Sequence, residues 1–373
     1  MEIAARSFTW RVVLRLVFFR LLAPRDADCH ANFYADAHAH TNARRDAYAD
    51  GDLGSDRNAN ADTNRDDHGD AHGDDHANDH GDAMTQQTLQ AALRDATRAL
   101  SATMPEYDAH LQAELLLAHA LGTTRANVLA RLSEPLVSDV IARYGTNVAR
   151  RAQHEPLAYI LGHQEFCGLD FFVDRRVLIP RHETETLAQI ALERARQKTS
   201  PVIVDVGTGS GALALTLAHH LPDARVIAAD ISRDALAVAR QNARRLNLES
   251  RIEFVESDLL ARVDAPFDIL VANLPYIPRA RWDQLPREVR AFEPRCALDG
   301  GEDGLDLFRR LLTPLQARAA RGAIALFEVS EEQGDAAVNE VRRELPKARV
   351  TVHQDLEGLD RVVEIELDAD ERG

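Results

Sequence analysis

Val202-Ile203-Val204-Asp205-Val206-Gly207-Thr208-Gly209-Ser210-Gly211 joins an apolar run to three glycines at alternate positions. The apolar residues predict a buried strand over 202–206, and the sequence over 212–221 predicts a helix. A glycine-rich turn between a strand and a helix lets the backbone approach a small ligand at the helix N-terminus. The spacing is GxGxG and not the dinucleotide-binding GxGxxG, so the turn indicates a cofactor site without identifying the cofactor.

Predicted strands and helices alternate from Pro201 onward. This order is typical of a Rossmann-like α/β fold with a mostly parallel sheet, here of seven strands. The predicted strands are Val202–Val206, Arg225–Ala229, Ile252–Glu256, Phe267–Ala272, Ala323–Val329, Ala348–Gln354 and Val362–Leu367. The clearest helices are Ala212–Leu221, Ser232–Leu246, Leu305–Ala320 and Glu331–Leu345. Ligands of such sheets bind beyond the carboxyl ends of the strands.

Acidic residues follow the second and third predicted strands. Asp230 lies about 20 residues beyond the glycine turn, where its two carboxylate oxygens can accept both hydroxyls of a ribose. Asp258 can accept from an adenine amino group, with Leu259 against the ring, or it can be an ordinary solvent-facing turn residue. These residues predict an adenosine-containing cofactor, which leaves NAD, FAD and S-adenosylmethionine open.

The tetrapeptide Asn273-Leu274-Pro275-Tyr276 directly follows the fourth predicted strand. The Asn273 side-chain oxygen and the Leu274 carbonyl can each accept one N–H of a planar NH2 group, and Pro275 favours an extended residue before it. The Tyr276 ring can pack on the flat face of that group. The alternative is a simple strand-end turn. The position beside a glycine turn favours methyl transfer to nitrogen.

Composition excludes several classes of protein. The formal charge of -16 argues against a protein that neutralises DNA phosphates. The three cysteines are far apart and form no CxxC pair, which predicts neither a disulfide framework nor a cysteine zinc site and fits a reducing cytoplasm. We expect no metal and no membrane span.

Residues 84–154 have a helical pattern. One apolar face combines Leu89, Leu93, Ala96 and Leu100, and a second combines Leu111, Leu115, Ala118 and Leu121 ahead of Gly122, a predicted helix end. We expect a small helical domain that recognises the substrate or caps the next domain. Residues 155–182 predict a strand-rich connector with a hairpin, residues 183–368 the main domain, and residues 369–373 a tail.

The first 83 residues differ from the rest. Between Pro24 and Ala83 the chain has one leucine and no valine, isoleucine or methionine, so it is expected to be disordered. Binding of a transition metal by its His and Asp residues and a targeting peptide at its start are alternatives. We favour a translation start at Met84, where the composition changes.

The chain from Met84 to Asp368 resembles the HemK family, the peptide chain release factor N5-glutamine methyltransferases. The resemblance rests on residues 155–162, 178–185, 205–211, 273–276 and 292–306. It implies a class I S-adenosylmethionine-dependent methyltransferase domain after a helical domain. The family usually has proline where Leu274 and His182 stand. With Pro275 retained, we expect activity with a less rigid acceptor site.

The resemblance also implies the function and the residues that carry it. The enzyme would methylate the glutamine of a Gly-Gly-Gln loop in release factors and so tune translation termination. The cofactor would contact Gly207, Thr208, Gly209, Ser210, Gly211, Asp230, Asp258, Leu259 and Asn273. The substrate glutamine would be bound, and its methylation catalysed, by Asn273, Leu274, Pro275 and Tyr276. We expect a cytoplasmic monomer.

Three other functions share parts of this pattern. A DNA amino-methyltransferase uses a similar tetrapeptide, but it needs base flipping and a basic recognition region that this sequence lacks. A ribosomal-protein glutamine methyltransferase has the same chemistry, and the Pro-Arg-x-Glu-Thr-Glu run at 180–185 favours release factors instead. A non-enzymatic adaptor, in which Leu274 marks a decayed site, is the third.

Overall fold

The computed structural model describes residues 87–367. The predictions of a disordered 1–83 extension, of a translation start at Met84, of metal binding or targeting by that extension and of a 369–373 tail lie outside the described residues. None of the helices within the described range is long and apolar enough to cross a membrane.

Residues 87–161 fold into five helices: α1 (Leu89–Leu100), α2 (Glu106–Leu121), α3 (Arg125–Ala130), α4 (Ser138–Ala152) and α5 (Leu157–Leu161). The Thr88 hydroxyl caps α1 by accepting from Ala91 N at 3.2 Å. Gly122 ends α2 with φ +64, as predicted. Apolar residues from all five helices pack into one core, to which α5 contributes Ile160.

The predicted apolar face of α1 is buried, but that of α2 was partly wrong. Leu111, Leu115 and Leu121 are only half-buried. The fully buried positions are Ala109, Ala113, Leu116 and Leu117. Helix α2 contacts α1, α3, α4 and α5. A helix that packs on several sides has no single apolar stripe to read from the sequence.

Within the predicted connector, β1 (His163–Phe166) and β2 (Leu169–Phe172) form a β-hairpin. The turn residues Cys167 and Gly168 both have positive φ, at 50° and 78°. Two such residues between antiparallel strands match the right-handed twist of the strands. Helix α6 (Thr184–Ala195) follows and leads to the main sheet.

Residues 202–366 form a seven-stranded, mostly parallel sheet. Its strands are β3 (Val202–Val206), β4 (Arg225–Asp230), β5 (Ile252–Glu256), β6 (Phe267–Ala272), β7 (Ala319–Glu328), β8 (Arg349–Gln354) and β9 (Asp360–Glu366). The spatial order is β5-β4-β3-β6-β7-β9-β8, and β9 alone runs antiparallel to the other six strands of this sheet. This confirms the predicted fold class for the described part of the chain.

The remaining helices are α7 (Ala212–His220), α8 (Arg233–Arg245), α9 (Arg287–Phe292), α10 (Asp306–Arg318) and α11 (Gly334–Glu344). Helix α7 contacts both α6 and α8, and α10 packs on α11. Both groups of helices lie against the sheet. From β3 the chain goes to β4 and β5 on one side and later to β6 and β7 on the other. The order therefore reverses between β3 and β6, where ligands of such sheets bind.

Candidate active site

The glycine turn connects β3 to α7 at this reversal point. Gly207, Gly209 and Gly211 have φ of +78°, +56° and +83°, a region that side chains other than glycine rarely adopt. A β-carbon on Gly211 would lie 2.9 Å from Leu215 Cδ1 and 3.2 Å from Ala239 Cβ. Gly211 therefore allows α8 to pack closely on α7, and the other two glycines shape the turn itself.

Asp205, the fourth residue of β3, is hydrogen-bonded to this turn and to the start of α7. Its Oδ2 accepts from Thr208 Oγ1 at 2.6 Å and from Ala214 N at 3.2 Å, while its Oδ1 is buried without a hydrogen-bond partner among the described residues. Burial raises the pKa of Asp205 to about 7. Thr208 and Ser210, both predicted to bind cofactor, are buried. The Thr208 hydroxyl proton is used inside the turn, and Asp205 is a residue whose role the sequence did not reveal.

The two predicted acidic residues differ in their surroundings. Asp230 accepts from Gly209 N at 2.9 Å and from Ser232 N at 2.8 Å, one bond to each carboxylate oxygen. Each oxygen can accept one further hydrogen bond, so the carboxylate still fits a pair of hydroxyls. Asp258 is instead ion-paired to Arg310 at 2.7 Å, with both side chains about half exposed.

The tetrapeptide lies beside the glycine turn. Val206 and Ala272, the last residues of β3 and β6, are paired in register on adjacent parallel strands. A β-carbon on Gly207 would lie 3.5 Å from Leu274 Cδ2 and 3.9 Å from Asn273 O. The two predicted motifs therefore meet at one edge of the sheet. Leu274, which stands where the family usually has proline, is buried in the main core.

Two residues that the sequence did not single out hold the polar ends of the tetrapeptide. Asn273 Nδ2 donates to Thr184 Oγ1 at 3.0 Å, which leaves Asn273 Oδ1 to accept from another group. The Tyr276 hydroxyl donates to Glu328 Oε1 at 3.3 Å. Thr184 begins α6 and Glu328 ends β7, and both are buried. Thr184 lies in a stretch that matches the family, but nothing in its spacing identifies its partner.

The segment 292–306 supports the backbone of the tetrapeptide. Gly300 N donates to Ile277 O at 3.0 Å, and the side chain of Gln333, the residue before α11, donates both to Tyr276 O at 3.0 Å and to Asp303 O of the segment at 3.3 Å. This segment wraps the chain just after the tetrapeptide. Sequence analysis assigned this segment no role, and the structure places its Gly300 against the backbone of Pro275 and Tyr276.

Glu293 ties the connector to the same region. Its carboxylate forms an ion pair with Arg181 and accepts from Ile179 N at 3.1 Å. The Tyr159 hydroxyl donates to Val177 O at 2.6 Å. Glu293 thus connects the stretches 178–185 and 292–306, and Tyr159 of the stretch 155–162 bonds to the residue directly before 178–185.

No cluster of His, Cys, Asp and Glu residues within the described range could hold a metal ion. A cleft of about 550 Å³ lies beside the edge strand β5, lined by residues that include Glu253, Phe254 and Arg262. It shares no residue with the glycine turn or the tetrapeptide.

Two family models match this chain. The model of the PrmC N-terminal domain matches residues 91–162, and the model of the methyltransferase small domain matches residues 182–284. The first covers the helices and the second runs from before the glycine turn to beyond the tetrapeptide.

Curated relatives match over most of their length. A release factor glutamine methyltransferase of Moorella thermoacetica is 48% identical over 250 residues, covering 67% of this chain and 88% of that protein. One of Koribacter versatilis is 41% identical over 278 residues, covering 74% and 97%. Among solved structures, a protein-(glutamine-N5) methyltransferase (release factor-specific) from Alicyclobacillus acidocaldarius is 28% identical, covering 53% of this chain and 100% of that one with a TM-score of 0.33. On its sequence relatives, this chain belongs to the release factor glutamine methyltransferase family.

Proposed function

We propose that this chain transfers a methyl group from S-adenosylmethionine to the side-chain amide nitrogen of a glutamine in peptide chain release factors, at a Gly-Gly-Gln loop. The observation that carries the proposal is the contact between the glycine turn and the tetrapeptide. Asn273 presents an amide oxygen there because Thr184 takes its nitrogen. The relatives named above carry the same activity in their names.

The residues at this edge fit the cofactor. Gly207 and Gly209 add no side chain to the turn, the side chains of Thr208 and Ser210 are buried, and Asp230 keeps one acceptor position on each carboxylate oxygen. Asp258 fits only if the adenine amino group shares its carboxylate with Arg310. S-adenosylmethionine, when bound, would supply a methyl group on a positively charged sulfur, which becomes a neutral thioether when the methyl carbon–sulfur bond breaks. Gly207 to Gly211, Asp230, Asp258, Leu259 and Asn273 would hold it.

The tetrapeptide would activate the acceptor nitrogen by position. An amide nitrogen is a weak nucleophile because its lone pair is delocalised into the carbonyl group. Asn273 Oδ1 and Leu274 O, each accepting one N–H, favour the pyramidal nitrogen that forms the new bond and stabilise its growing positive charge. Tyr276, held by Glu328, would pack on the flat face of the amide. The surplus proton then leaves to water, so no dedicated base is needed.

The remaining parts of the chain would serve recognition. We assign recognition of the release factor to the helical domain at 84–154 and the methyl transfer to the domain at 183–368. Residues 155–182 connect these two domains. Arg151 of α4 pairs with Glu288 of α9 at 2.9 Å, which connects the helical domain to the helix that leads directly into the segment 292–306. Because release factors act during translation, we place this activity in the cytoplasm.

A transfer assay tests the proposal. The full chain is incubated with methyl-labelled S-adenosylmethionine and, separately, with a release factor, a ribosomal protein and duplex DNA. Label on the release factor supports the proposal. Label on the ribosomal protein or on the DNA instead contradicts it and identifies that molecule as the substrate. Cofactor binding without any transfer indicates an adaptor. Asn273→Ala should lose the transfer, whereas Asn339→Ala, on the exposed side of α11, should keep it.

A further inference from the structure

Glu328 is a buried acid at the edge of the candidate site. It is the last residue of β7, next to the strand that carries the tetrapeptide, and only 4% of it is exposed. Its Oε1 accepts from the Tyr276 hydroxyl at 3.3 Å, but its Oε2 is buried without a hydrogen-bond partner at normal distance among the described residues. Such a group costs stability, so its presence calls for a function.

Thr184 connects this acid to Asn273. Its hydroxyl accepts from Asn273 Nδ2 at 3.0 Å, which leaves its single proton for another acceptor. Burial raises the pKa of Glu328 to about 7, and the polar Thr184 hydroxyl, which lies beyond ordinary hydrogen-bond geometry from the carboxylate, is the strongest influence that favours the ionised form. The acid and the hydroxyl are therefore electrostatically coupled.

This coupling selects one orientation of the Asn273 amide. A threonine hydroxyl alone can either accept from the amide nitrogen or donate to the amide oxygen, so it does not discriminate between the two flipped forms. An ionised Glu328 can only accept, and it attracts the Thr184 proton. Thr184 must then accept from Asn273 Nδ2, and the amide oxygen faces away from Thr184.

We propose that Thr184 and Glu328 are positioning residues. Together they turn the side-chain oxygen of Asn273 toward the acceptor amide and hold the Tyr276 ring beside that amide. The inference rests on the proposed function. In the opposite orientation Asn273 would present its NH2 group to the substrate NH2 group, two donors facing each other. The pair thus determines whether the site can accept a planar amide.

Protonation of Glu328 weakens this selection, because a carboxylic acid can donate to Thr184 and allow the flipped amide. The charged and titratable groups that influence Glu328 are Arg361 of β9, Glu183 before α6 and the Tyr276 hydroxyl. Arg361 is itself paired with Asp355 at 3.1 Å. Turnover should therefore fall as the pH drops through about 7, the pKa of Glu328.

The test compares four variants in release-factor methylation: Thr184→Val, Thr184→Ser, Glu328→Gln and, as a control on the same helix, Thr186→Val. We expect Thr184→Val to lower kcat between about tenfold and a hundredfold, because the amide loses its orientation, with unchanged calorimetric affinity for S-adenosylmethionine. Thr184→Ser and Thr186→Val should stay close to the parent. Glu328→Gln should lower kcat and remove the acid limb of its pH profile.

The outcomes separate the inference from the proposed function. If the parent protein transfers no methyl group to the release factor, the proposed function fails and the inference fails with it. If the parent is active and Thr184→Val keeps its kcat, or Glu328→Gln keeps the acid limb, the inference alone is overturned. Thermal melting of each variant identifies any that do not fold. If Thr184→Val does not fold, the pH profile of Thr184→Ser decides: the inference requires the acid limb of the parent, and its loss overturns the inference.

Discussion

Gly300→Ala is expected to destabilise the fold and displace the tetrapeptide. A β-carbon at this position would lie 2.7 Å from Pro275 O and 2.8 Å from Tyr276 Cα, both backbone atoms that cannot rotate away. Carbon atoms pack at about 3.5 Å or more, so Tyr276 would have to move by about 0.7 Å. Overpacking of this kind costs about 1–3 kcal/mol, and a shift of this size at a reacting group lowers turnover by about a factor of ten or more.

The matched control is Gly145→Ala. Gly145 lies on the exposed side of α4, and a β-carbon there would meet no atom within 4 Å. The same substitution should therefore stabilise the protein by about 1 kcal/mol, because alanine is the better helix former. Urea unfolding and release-factor methylation are measured for both variants. A Gly300→Ala protein with the stability and kcat of the parent would refute the close packing described for the site.

Three further predictions concern the site itself. Asn273→Ala should lower kcat by about 10²–10³ because an acceptor used in the transition state is lost, while S-adenosylmethionine affinity measured by calorimetry stays largely intact because most of the cofactor contacts remain; equal kinetics would refute its role. Asp230→Ala should weaken S-adenosylmethionine binding measured by calorimetry, and an unchanged affinity would remove Asp230 from the cofactor site. Burial raises the pKa of Asp205 from 3.8 to about 7, so its contribution to stability is greatest below 3.8 and is lost as the pH rises to 7. The free energy of unfolding of the parent, relative to Asp205→Asn, should therefore fall by about 3 kcal/mol between pH 5 and pH 8, and a pH-independent difference would contradict the shift.

The central strands β3, β4 and β6 could be predicted from sequence because their apolar runs are buried on both faces. Strands β3, β5 and β6 have the predicted bounds, and β4 is one residue longer than expected. Strand β7 was predicted from Ala323 but begins at Ala319, which pairs with Phe267 across a register shift. A bulge of this kind depends on the partner strand and leaves no local pattern.

The last helix shows a similar limit at its start. Ser330 and Gln333 have the spacing of a capping box, and half of that motif is present, since Gln333 Oε1 accepts from Ser330 N at 3.0 Å, but α11 begins only at Gly334 and not at the predicted Glu331. The Gln333 amide nitrogen instead donates to Tyr276 O. A tertiary contact thus uses the residue that local sequence assigns to a cap.

The site was predictable where adjacent strand ends bring motifs together, and not where distant side chains meet. Asn273 and Gly207 follow neighbouring strands, so fold class alone places them at one edge. Thr184 reaches Asn273 across 89 positions of sequence. Asp258 pairs with Arg310 across 52 positions of sequence, and this ion pair occupies an oxygen of the carboxylate that was predicted to accept from the adenine amino group. No periodicity or spacing encodes such contacts.

Mass mapping of the modified release factor is the most direct test of the central claim, that the tetrapeptide and the glycine turn form one site for a glutamine amide. The purified chain, a release factor and S-adenosylmethionine are incubated, and the modified peptide is sequenced by fragmentation. We predict one methyl group on the side-chain nitrogen of the glutamine in the Gly-Gly-Gln loop, absent with Asn273→Ala. A methyl group on any other residue, or the same product from the variant, would contradict the claim.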